Sequence, residues 1–277
     1  MSATYTNEKE ELNIKILLEA IYSKWGYDFR GYSSASMKRR LFYFVRQKDN
    51  PSIEDLPYYI TRDKELFARF IDEITTNVTE MFRDPGFYAS LRERVINPLY
   101  SYPHLKIWHA GCATGEEAYS MNILLDEEGL RQRAMIYATD INRVVLEKAK
   151  KGIYPAQCLR EYSENYINAG GKKSLSSYYC EAYDHFIMTQ SIMDNIVFTE
   201  HDLATDYVFG EMQIVMCRNV LIYFNRALQN KVFKLFHECL DLGGFLCLGT
   251  KETLDFYEGR DDFREIDDEY KIYQLVK

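Results

Sequence analysis

A glycine turn followed at once by two glutamates is the strongest chemical signal in the sequence, HAGCATGEEAYS at residues 109–120. Gly111 and Gly115 would let the backbone approach a ligand closely. A dinucleotide would place its pyrophosphate at the start of the following helix. Glu116 and Glu117 occupy that first turn, where carboxylates stabilise the helix but repel a phosphate. The pattern therefore disfavours NAD and favours S-adenosylmethionine, which lacks a phosphate, carries a sulfonium and an ammonium, and presents a ribose diol.

A further acidic residue, Asp140, ends the apolar run MIYATD about 25 residues after the glycine turn. At this position an acidic side chain accepts hydrogen bonds from ribose hydroxyls. The glycines alone are weak evidence, because their G-x-x-x-G spacing is not the full dinucleotide fingerprint. The alternative that Asp140 only caps the helix beginning at Ile141 or Asn142 stays open at this point.

Strands must position these residues, and from Lys106 onward short apolar runs alternate with helical patterns. Such alternation predicts a mostly parallel sheet with helices on both faces. The predicted strands are IWHAG (107–111), MIYATD (135–140), IVMCRN (214–219), FLCLG (245–249) and a late, antiparallel YKIYQLV (270–276). The predicted helices extend to about Glu128, over 142–151, and over 226–240, where Asn225 would act as the N-cap.

Two parts of the chain depart from that alternation. Helical spacing predicts an all-helical N-terminal domain over residues 1–100, with helices at 6–25, 34–47, 52–61, 63–75 and 86–101. The second of these helices has a basic face formed by Lys38, Arg39, Arg40 and Arg46. Residues 156–200, rich in glycine, serine and tyrosine, predict an insertion of short strands into the α/β domain at 101–277.

Composition excludes several classes of protein. The 277 residues carry a formal net charge of −8, which argues against a general nucleic-acid binder. No signal peptide and no run of 18 or more apolar residues is visible, so we expect a cytoplasmic protein without membrane insertion. The six cysteines form no CxxC pair and are expected to be reduced thiols. No HExxH or Cys/His cluster predicts a metal site.

Four motifs resemble those of the CheR-type chemotaxis methyltransferases. They are TTNVTEMFRDP (75–85), AGCATGEEAYS (110–120), ATDINRVVLEKAKKGIYP (138–155) and CRNVLIYF (217–224), and the similarity covers roughly residues 10–275. The resemblance implies an all-α N-terminal domain, which docks on the receptor, before a Rossmann-like class I methyltransferase domain with a small inserted β-subdomain. It also implies methyl transfer from S-adenosylmethionine to receptor glutamates, leaving S-adenosylhomocysteine.

The resemblance further implies which residues form the site. Cofactor contacts would come from Asn77, Thr79, Arg83, Gly111, Glu117, Asp140, Asp202, Leu203, Asn219 and Val220. Arg83 would lie near the reacting methyl, and Tyr223 would point toward it. The sequence departs from the family pattern at Ala118, where proline is common, and at Asp202, which replaces the usual amide and bears on an adenine or ribose contact.

The expected reaction needs no general base. A glutamate has an ordinary pKa near 4.3, so the acceptor is already ionised at neutral pH. Catalysis would come from positioning and desolvating two opposite charges, with Arg83 and Tyr223 as orienting groups. Two other hypotheses remain open: a non-catalytic module that binds S-adenosylmethionine, and a small-molecule O-methyltransferase. The basic helix is either a solvated surface or a docking face for acidic receptor helices.

Overall fold

The computed structural model describes residues 2–277, with side chains described from Lys9 onward, and its internal contacts divide the chain into two compact units. One unit contains the chain up to Thr76 together with Asp202–Asp206 and Tyr223–Val232. The other contains Asn77–His201, Tyr207–Ile222 and Phe233–Lys277. Residues 77–100, which the sequence analysis placed with the helical domain, therefore group with the second unit.

The first unit is built mainly from four helices, α1 (Ser2–Trp25), α2 (Ser34–Arg46), α3 (Leu56–Ile60) and α4 (Lys64–Ile74). Its core contains fully buried Ile21, Leu41 and Phe70. Helix α4 begins where the Asp63 carboxylate accepts hydrogen bonds from the amides of the next turn, at 2.8 and 3.0 Å. Helix α3 is shorter than the predicted 52–61 and carries Pro57 in its first turn, the one part of a helix that tolerates proline.

The second unit contains a seven-stranded sheet with strand order β6-β2-β1-β7-β8-β10-β9. The strands are β1 (Leu105–Ala110), β2 (Ala134–Asp140), β6 (Ile196–Glu200), β7 (Met212–Cys217), β8 (Leu240–Leu248), β9 (Phe263–Asp267) and β10 (Ile272–Leu275). The first five of these pair in parallel, and β10 is antiparallel to both β8 and β9. Strand β7 is buried at every position, as expected for the centre of a sheet covered on both faces.

Helices of the second unit are α5 (Pro85–Ser90), α6 (Ile96–Leu99), α7 (Glu116–Glu127), α8 (Arg143–Lys151), α9 (Leu159–Asn168) and α10 (Gln190–Met193), and α11 (Arg226–Cys239) runs through both units. The Asn225 side chain accepts the Leu228 amide at 2.9 Å, which confirms the predicted cap of α11. The helix predicted over 86–101 is present as a continuous helical stretch from Pro85 to Leu99, in which a π-helical turn at Leu91–Val95 lies between α5 and α6. Pro98 has no amide hydrogen with which to continue the α-helical ladder there.

The inserted subdomain has a small sheet of its own, with order β3-β5-β4, formed by β3 (Ile153–Pro155), β4 (Tyr179–Ala182) and β5 (His185–Met188). The predicted range 156–200 needs correction at both ends. Strand β3 lies before it, and β6 pairs with β2 in the main sheet. The segment also contains helix α9, not only short strands. The local alternation of apolar and polar residues does not reveal which sheet a strand will join. The boundaries of the inserted subdomain therefore depend on strand pairing.

Candidate cofactor site

The carboxyl ends of three parallel strands meet at one edge of the main sheet. Strand β1 pairs with β2 on one side and with β7 on the other, so the chain changes direction across the sheet at β1. Ligands bind at such switch points in open α/β sheets. The topology brings together Gly111 after β1, Asp140 at the end of β2, and Asn219 and Val220 after β7.

The glycine turn has a backbone that other residues would adopt only with strain. Gly111 has φ 78° and its amide donates to the Thr139 carbonyl at 2.8 Å. A Cβ atom on Gly111 would lie 2.5 Å from Val220 Cγ2. Gly115 has φ 93°, and its Cβ would lie 2.9 Å from that of Ala149. Glycine is therefore required at both positions, for conformation and for close approach of neighbouring segments.

Asp140 braces this turn. Its Oδ2 accepts the Ala113 amide and its Oδ1 accepts the Asn142 amide, both at 2.9 Å. Helix α8 is capped by Asn142, whose Oδ1 accepts the Val144 amide, so the capping alternative for Asp140 is wrong. Burial raises the pKa of Asp140 in spite of these amide hydrogen bonds. The Ile141 amide also hydrogen-bonds to this carboxylate, so three of its four lone pairs are used and one is left for a further donor.

The two adjacent glutamates of α7 lie in opposite environments. Glu116 is buried, accepts the Thr114 hydroxyl at 2.7 Å, and burial raises its pKa to about 7. Burial alone would also raise the pKa of Glu117. Its contacts with His109 Nδ1 at 3.0 Å and Arg218 Nη1 at 3.1 Å instead hold that pKa below its usual range. Glu117 is thus ionised at neutral pH, as a ligand for a cationic cofactor must be.

Arg218, directly after β7, is a residue that the sequence analysis missed. Its side chain is 1% exposed and donates to Glu117, to Asp84 Oδ2 at 2.7 Å and to the Arg83 carbonyl at 3.3 Å. Its guanidinium carbon lies 4.0 Å from the centre of the Phe87 ring. The sequence signal that could have found it is an arginine directly after the buried strand, in the motif CRNV. The sequence analysis named only the asparagine and the valine of that motif as site residues.

Glu252 is a second missed residue, and it shapes the loop after β7. One oxygen accepts the amides of Val220, Leu221 and Ile222 at 2.7–3.3 Å, and the other accepts those of Asn219 and Gly249 at 3.0 and 2.6 Å. These bonds hold Asn219 at φ 62°. A charged residue soon after the strand FLCLG was the available signal, but sequence spacing does not reveal five converging amides.

The segment before α5 carries three predicted site residues, Asn77, Thr79 and Arg83. Its turn is strained, because Phe82 and Asp84 have φ 52° and 56°. The Phe82 amide donates to the Ser120 hydroxyl at 2.8 Å. The Arg83 guanidinium donates to the Val78 carbonyl at 3.4 Å. Asp84 forms an ion pair with Arg218.

The remaining predicted site residues, Asp202, Leu203 and Tyr223, belong to the first unit. The Asp202 carboxylate accepts the Ala204 amide at 2.8 Å, and burial raises its pKa. Leu203 is buried. The Tyr223 carbonyl accepts the Ser33 amide at 2.7 Å. The residues that the sequence analysis assigned to one site therefore come from both units.

The basic face of α2 is not uniform. Lys38 pairs with Glu10 at 2.9 Å, whereas Arg39 and Arg46 are exposed. Arg40 donates to the Glu73 carbonyl at 2.9 Å and contacts the Thr75 carbonyl and the Thr76 hydroxyl. Arg40 thus satisfies carbonyls at the C-terminal end of α4 and is a structural residue.

The part of the chain that the structure describes contains neither a candidate metal site nor a membrane-spanning helix. From Lys9 to Lys277, where side chains are described, no three His, Cys, Asp or Glu residues are grouped so that they could hold a metal ion. Among the helices described, none has the length and apolar character needed to cross a membrane.

The chain matches two protein-family models over most of its length. Residues 13–75 match the CheR methyltransferase all-alpha domain, and residues 77–272 match the CheR methyltransferase SAM binding domain. The "Putative methyltransferase Cher3" of Pseudomonas putida is 48% identical over 270 residues, covering 97% of this chain and 99% of that protein. A "Chemotaxis protein methyltransferase" of Listeria monocytogenes is 30% identical over 231 residues, covering 83% and 85%.

Among solved structures, the glycopeptide N-methyltransferase MtfA complexed with S-adenosylmethionine aligns with 62% of this chain and 51% of its own. The TM-score is 0.37 and the identity is 12%. At those values the alignment adds no argument to the family match.

Proposed function

Because the chain belongs to the CheR methyltransferase family, we propose that it methylates glutamate side chains of methyl-accepting chemotaxis receptors. It is an S-adenosylmethionine-dependent methyltransferase of the chemotaxis type. The observation that carries the glutamate assignment is the presence, in one chain, of both domains of the family, matched over nearly the full length of a chemotaxis methyltransferase.

The residues at the sheet edge fit S-adenosylmethionine. The two glycines let the turn pack closely against Val220 and Ala149, and Asp140 retains acceptor capacity for a ribose hydroxyl. Glu117 supplies an ionised carboxylate, 17% exposed, for a positively charged ligand. Arg218, the cation at this edge, is neutralised by Glu117 and Asp84, so the cluster does not repel a sulfonium.

In the proposed reaction, bound S-adenosylmethionine supplies a methyl group on a positively charged sulfur. A receptor glutamate oxygen forms a bond to the methyl carbon while the carbon–sulfur bond breaks. The electron pair of that bond stays on sulfur, and no proton is transferred. Arg83 and Tyr223 orient the reacting groups. A strong cation clamped to the acceptor carboxylate would slow the step, since it would stabilise the ground state more than the less charged transition state.

The domain roles belong to the same proposal. The helical N-terminal domain docks on the receptor, and the exposed Arg39 and Arg46 of α2 face its acidic methylation helices. Lys38 contributes through a partly exposed pair with Glu10. Arg40 donates to a carbonyl of α4 and does not contact the receptor in this proposal.

Methyl-labelled S-adenosylmethionine, incubated with the protein and chemoreceptor-containing membranes, tests the proposal. We expect receptor-bound label that mild base releases as methanol. Receptor in which the acceptor glutamates are replaced by glutamine is the matched control and should remain unlabelled. Label on a small acid would instead indicate a small-molecule O-methyltransferase. Tight binding of S-adenosylhomocysteine without any transfer would contradict the proposal and indicate a non-catalytic module.

A further inference from the structure

The buried Arg218 connects two parts of the site that are far apart in sequence. One terminal nitrogen donates to Glu117, in the first turn of α7, and the other donates to Asp84 and to the Arg83 carbonyl. Glu117 in turn contacts His109 of β1. We call His109, Glu117, Arg218 and Asp84 the Arg218 cluster. The cluster links the end of β1, the start of α7 and the turn before α5.

We propose that Arg218 is a positioning residue that holds the Glu117 carboxylate for the cofactor and, with its other nitrogen, the turn that carries Arg83. The inference rests on the proposed roles of Glu117 and Arg83. It adds that cofactor binding and the placement of Arg83 depend on one guanidinium.

The turn at Arg83 requires such a support. Arg83 lies between Phe82 and Asp84, two non-glycine residues with left-handed backbone angles of 52° and 56°. Residues in this conformation persist only where the surroundings hold them. The Ser120 hydroxyl holds the Phe82 amide, and Arg218 holds both the Arg83 carbonyl and the Asp84 carboxylate. Without Arg218, only the Ser120 contact of these remains.

The geometry requires arginine and not only a positive charge. A guanidinium is a planar fork that can donate in two directions at once, and here its plane also packs against the Phe87 ring. A lysine ammonium at the end of its flexible chain would reach one carboxylate at the expense of the other. Substitution by lysine should therefore keep part of the lowering of the Glu117 pKa. It should lose the simultaneous contact with Glu117 and with the turn that carries Arg83.

Few groups around the cluster titrate near neutral pH. Besides the cluster members, the described groups that act on Arg218 or Glu117 are Tyr88 of α5, Cys112 of the glycine turn, Cys217 of β7 and Cys247 of β8. Burial raises the pKa of each, so all four stay neutral. Glu116, beside Glu117 in α7, does titrate near neutral pH, because burial raises its pKa to about 7. Every variant shares that contribution, so a pH dependence that an Arg218 variant adds to the wild-type profile is attributable to Glu117.

Three variants, Arg218→Met, Arg218→Lys and Asp84→Asn, test the inference. Arg92→Met is the matched control, because Arg92 is also an arginine between two carboxylates, Glu127 and Glu128, with a side chain only 11% exposed, but lies outside the cluster. The affinity for S-adenosylhomocysteine is measured by calorimetry from about pH 5 to pH 8. The value of kcat is measured at saturating S-adenosylmethionine. Near-ultraviolet circular dichroism confirms that each variant is folded.

In Arg218→Met, Glu117 keeps its burial but loses its main cation, so its pKa rises. Product affinity should then fall as the pH is lowered through that raised pKa, by more than any pH dependence that the wild type and Arg92→Met share through Glu116. Asp84→Asn leaves the Arg218–Glu117 pair in place. It should keep its product affinity within about threefold yet lose about tenfold or more in kcat, because Arg83 is misplaced. Arg218→Lys should show an intermediate pH profile and the same loss in kcat.

A pH profile of folded Arg218→Met that matches the wild-type profile, or an unchanged kcat for Asp84→Asn, would overturn the inference. Either outcome can be told apart from failure of the proposed function. A wild-type protein that binds S-adenosylhomocysteine but does not methylate receptor would refute the proposed function. The pH profile of product binding would still decide whether Arg218 positions Glu117.

Discussion

Buried carboxylates at the sheet edge have different roles because each meets a different set of partners. Glu117 contacts a guanidinium and an imidazole, Asp140 and Glu252 accept backbone amides, and Glu116 accepts a hydroxyl. Only Glu117 has its pKa lowered, whereas burial raises the pKa of the other three. The number and charge of the partners decide which carboxylate can serve as an anion for a ligand.

Glu116 should make the protein less stable as the pH rises. Its pKa is raised from 4.5 to about 7, so between these values the folded state holds a proton that the unfolded state has released. The free energy of unfolding therefore falls across that range, by about 3 kcal/mol for this group alone. Urea unfolding at about pH 5 and pH 8 should show a smaller decrease in Glu116→Gln than in the wild type.

Exposed Glu258 provides the control for this measurement, because Glu258→Gln should follow the wild-type pH dependence. An identical pH dependence in Glu116→Gln and the wild type would show that Glu116 does not titrate in this range.

Glu252→Gln should weaken both the fold and cofactor binding. The new amide group would point a donor at amides that now donate to an oxygen, leaving buried groups unsatisfied. We expect a loss of about 3 kcal/mol in unfolding free energy and a lower affinity for S-adenosylhomocysteine. Chemical unfolding and calorimetry measure the two effects. Unchanged affinity in a destabilised protein would mean that the loop after β7 does not shape the cofactor site.

The strands and helices bring these side chains together through pairing that no local pattern determines. Strand β6 comes after the small sheet in the chain but pairs with β2, which precedes that sheet. The inserted subdomain is fastened to the end of α7 by Glu127, whose buried carboxylate accepts from Arg92, the Tyr166 hydroxyl and the Lys172 amide. A buried carboxylate with several donors rigidifies the elements that it joins.

Glu127→Gln should loosen the inserted subdomain more than the sheet. The substitution removes the negative charge from all of these hydrogen bonds, and the new amide group also takes the acceptor away either from Arg92 or from Lys172 and Tyr166. Hydrogen exchange should become faster in residues 170–178, while exchange in β1 and β7 is unchanged. Glu164→Gln, which removes only an exposed pair with Arg160, is the control. Equal exchange in both variants would refute the anchoring role.

The first unit carries exposed positive charge on α2 that it can present to a partner. The protein is acidic as a whole, with a net charge of −8, yet Arg39 and Arg46 lie exposed on one helix of the first unit. Local charge of this kind changes association rates and their salt dependence more than it changes the affinity for a small ligand.

Charge reversal of Arg39 and Arg46 should therefore slow methyl transfer to receptor at low salt and leave the affinity for S-adenosylhomocysteine unchanged. The difference from the wild type should shrink as salt is added, because screening weakens the steering interaction. Arg264→Glu, a reversal at an exposed position of the second unit, is the control. If the double variant transfers methyl groups at the wild-type rate at every salt concentration, α2 is a solvated surface and not a docking face.

Much of this protein follows from local sequence. The α/β alternation after Lys106, the turn at Gly111, the strand that ends at Asp140 and the antiparallel β10 are all confirmed. Each depends on periodicity, glycine chemistry or strand length, which neighbouring residues determine. The CheR family and its cofactor also followed from short motifs, because each motif places a few residue types at a fixed spacing.

Tertiary structure decided the rest, for reasons of distance along the chain. Arg218 and Asp84 are 134 positions apart, and Glu252 reaches amides 30 to 33 positions away. Arg40 belongs to a basic stripe by sequence but meets carbonyls of α4 only after folding. Burial and pairing between distant segments determine whether a charged group binds a ligand, supports a turn or, for a carboxylate, holds its proton. The local sequence pattern contains neither the burial nor the pairing.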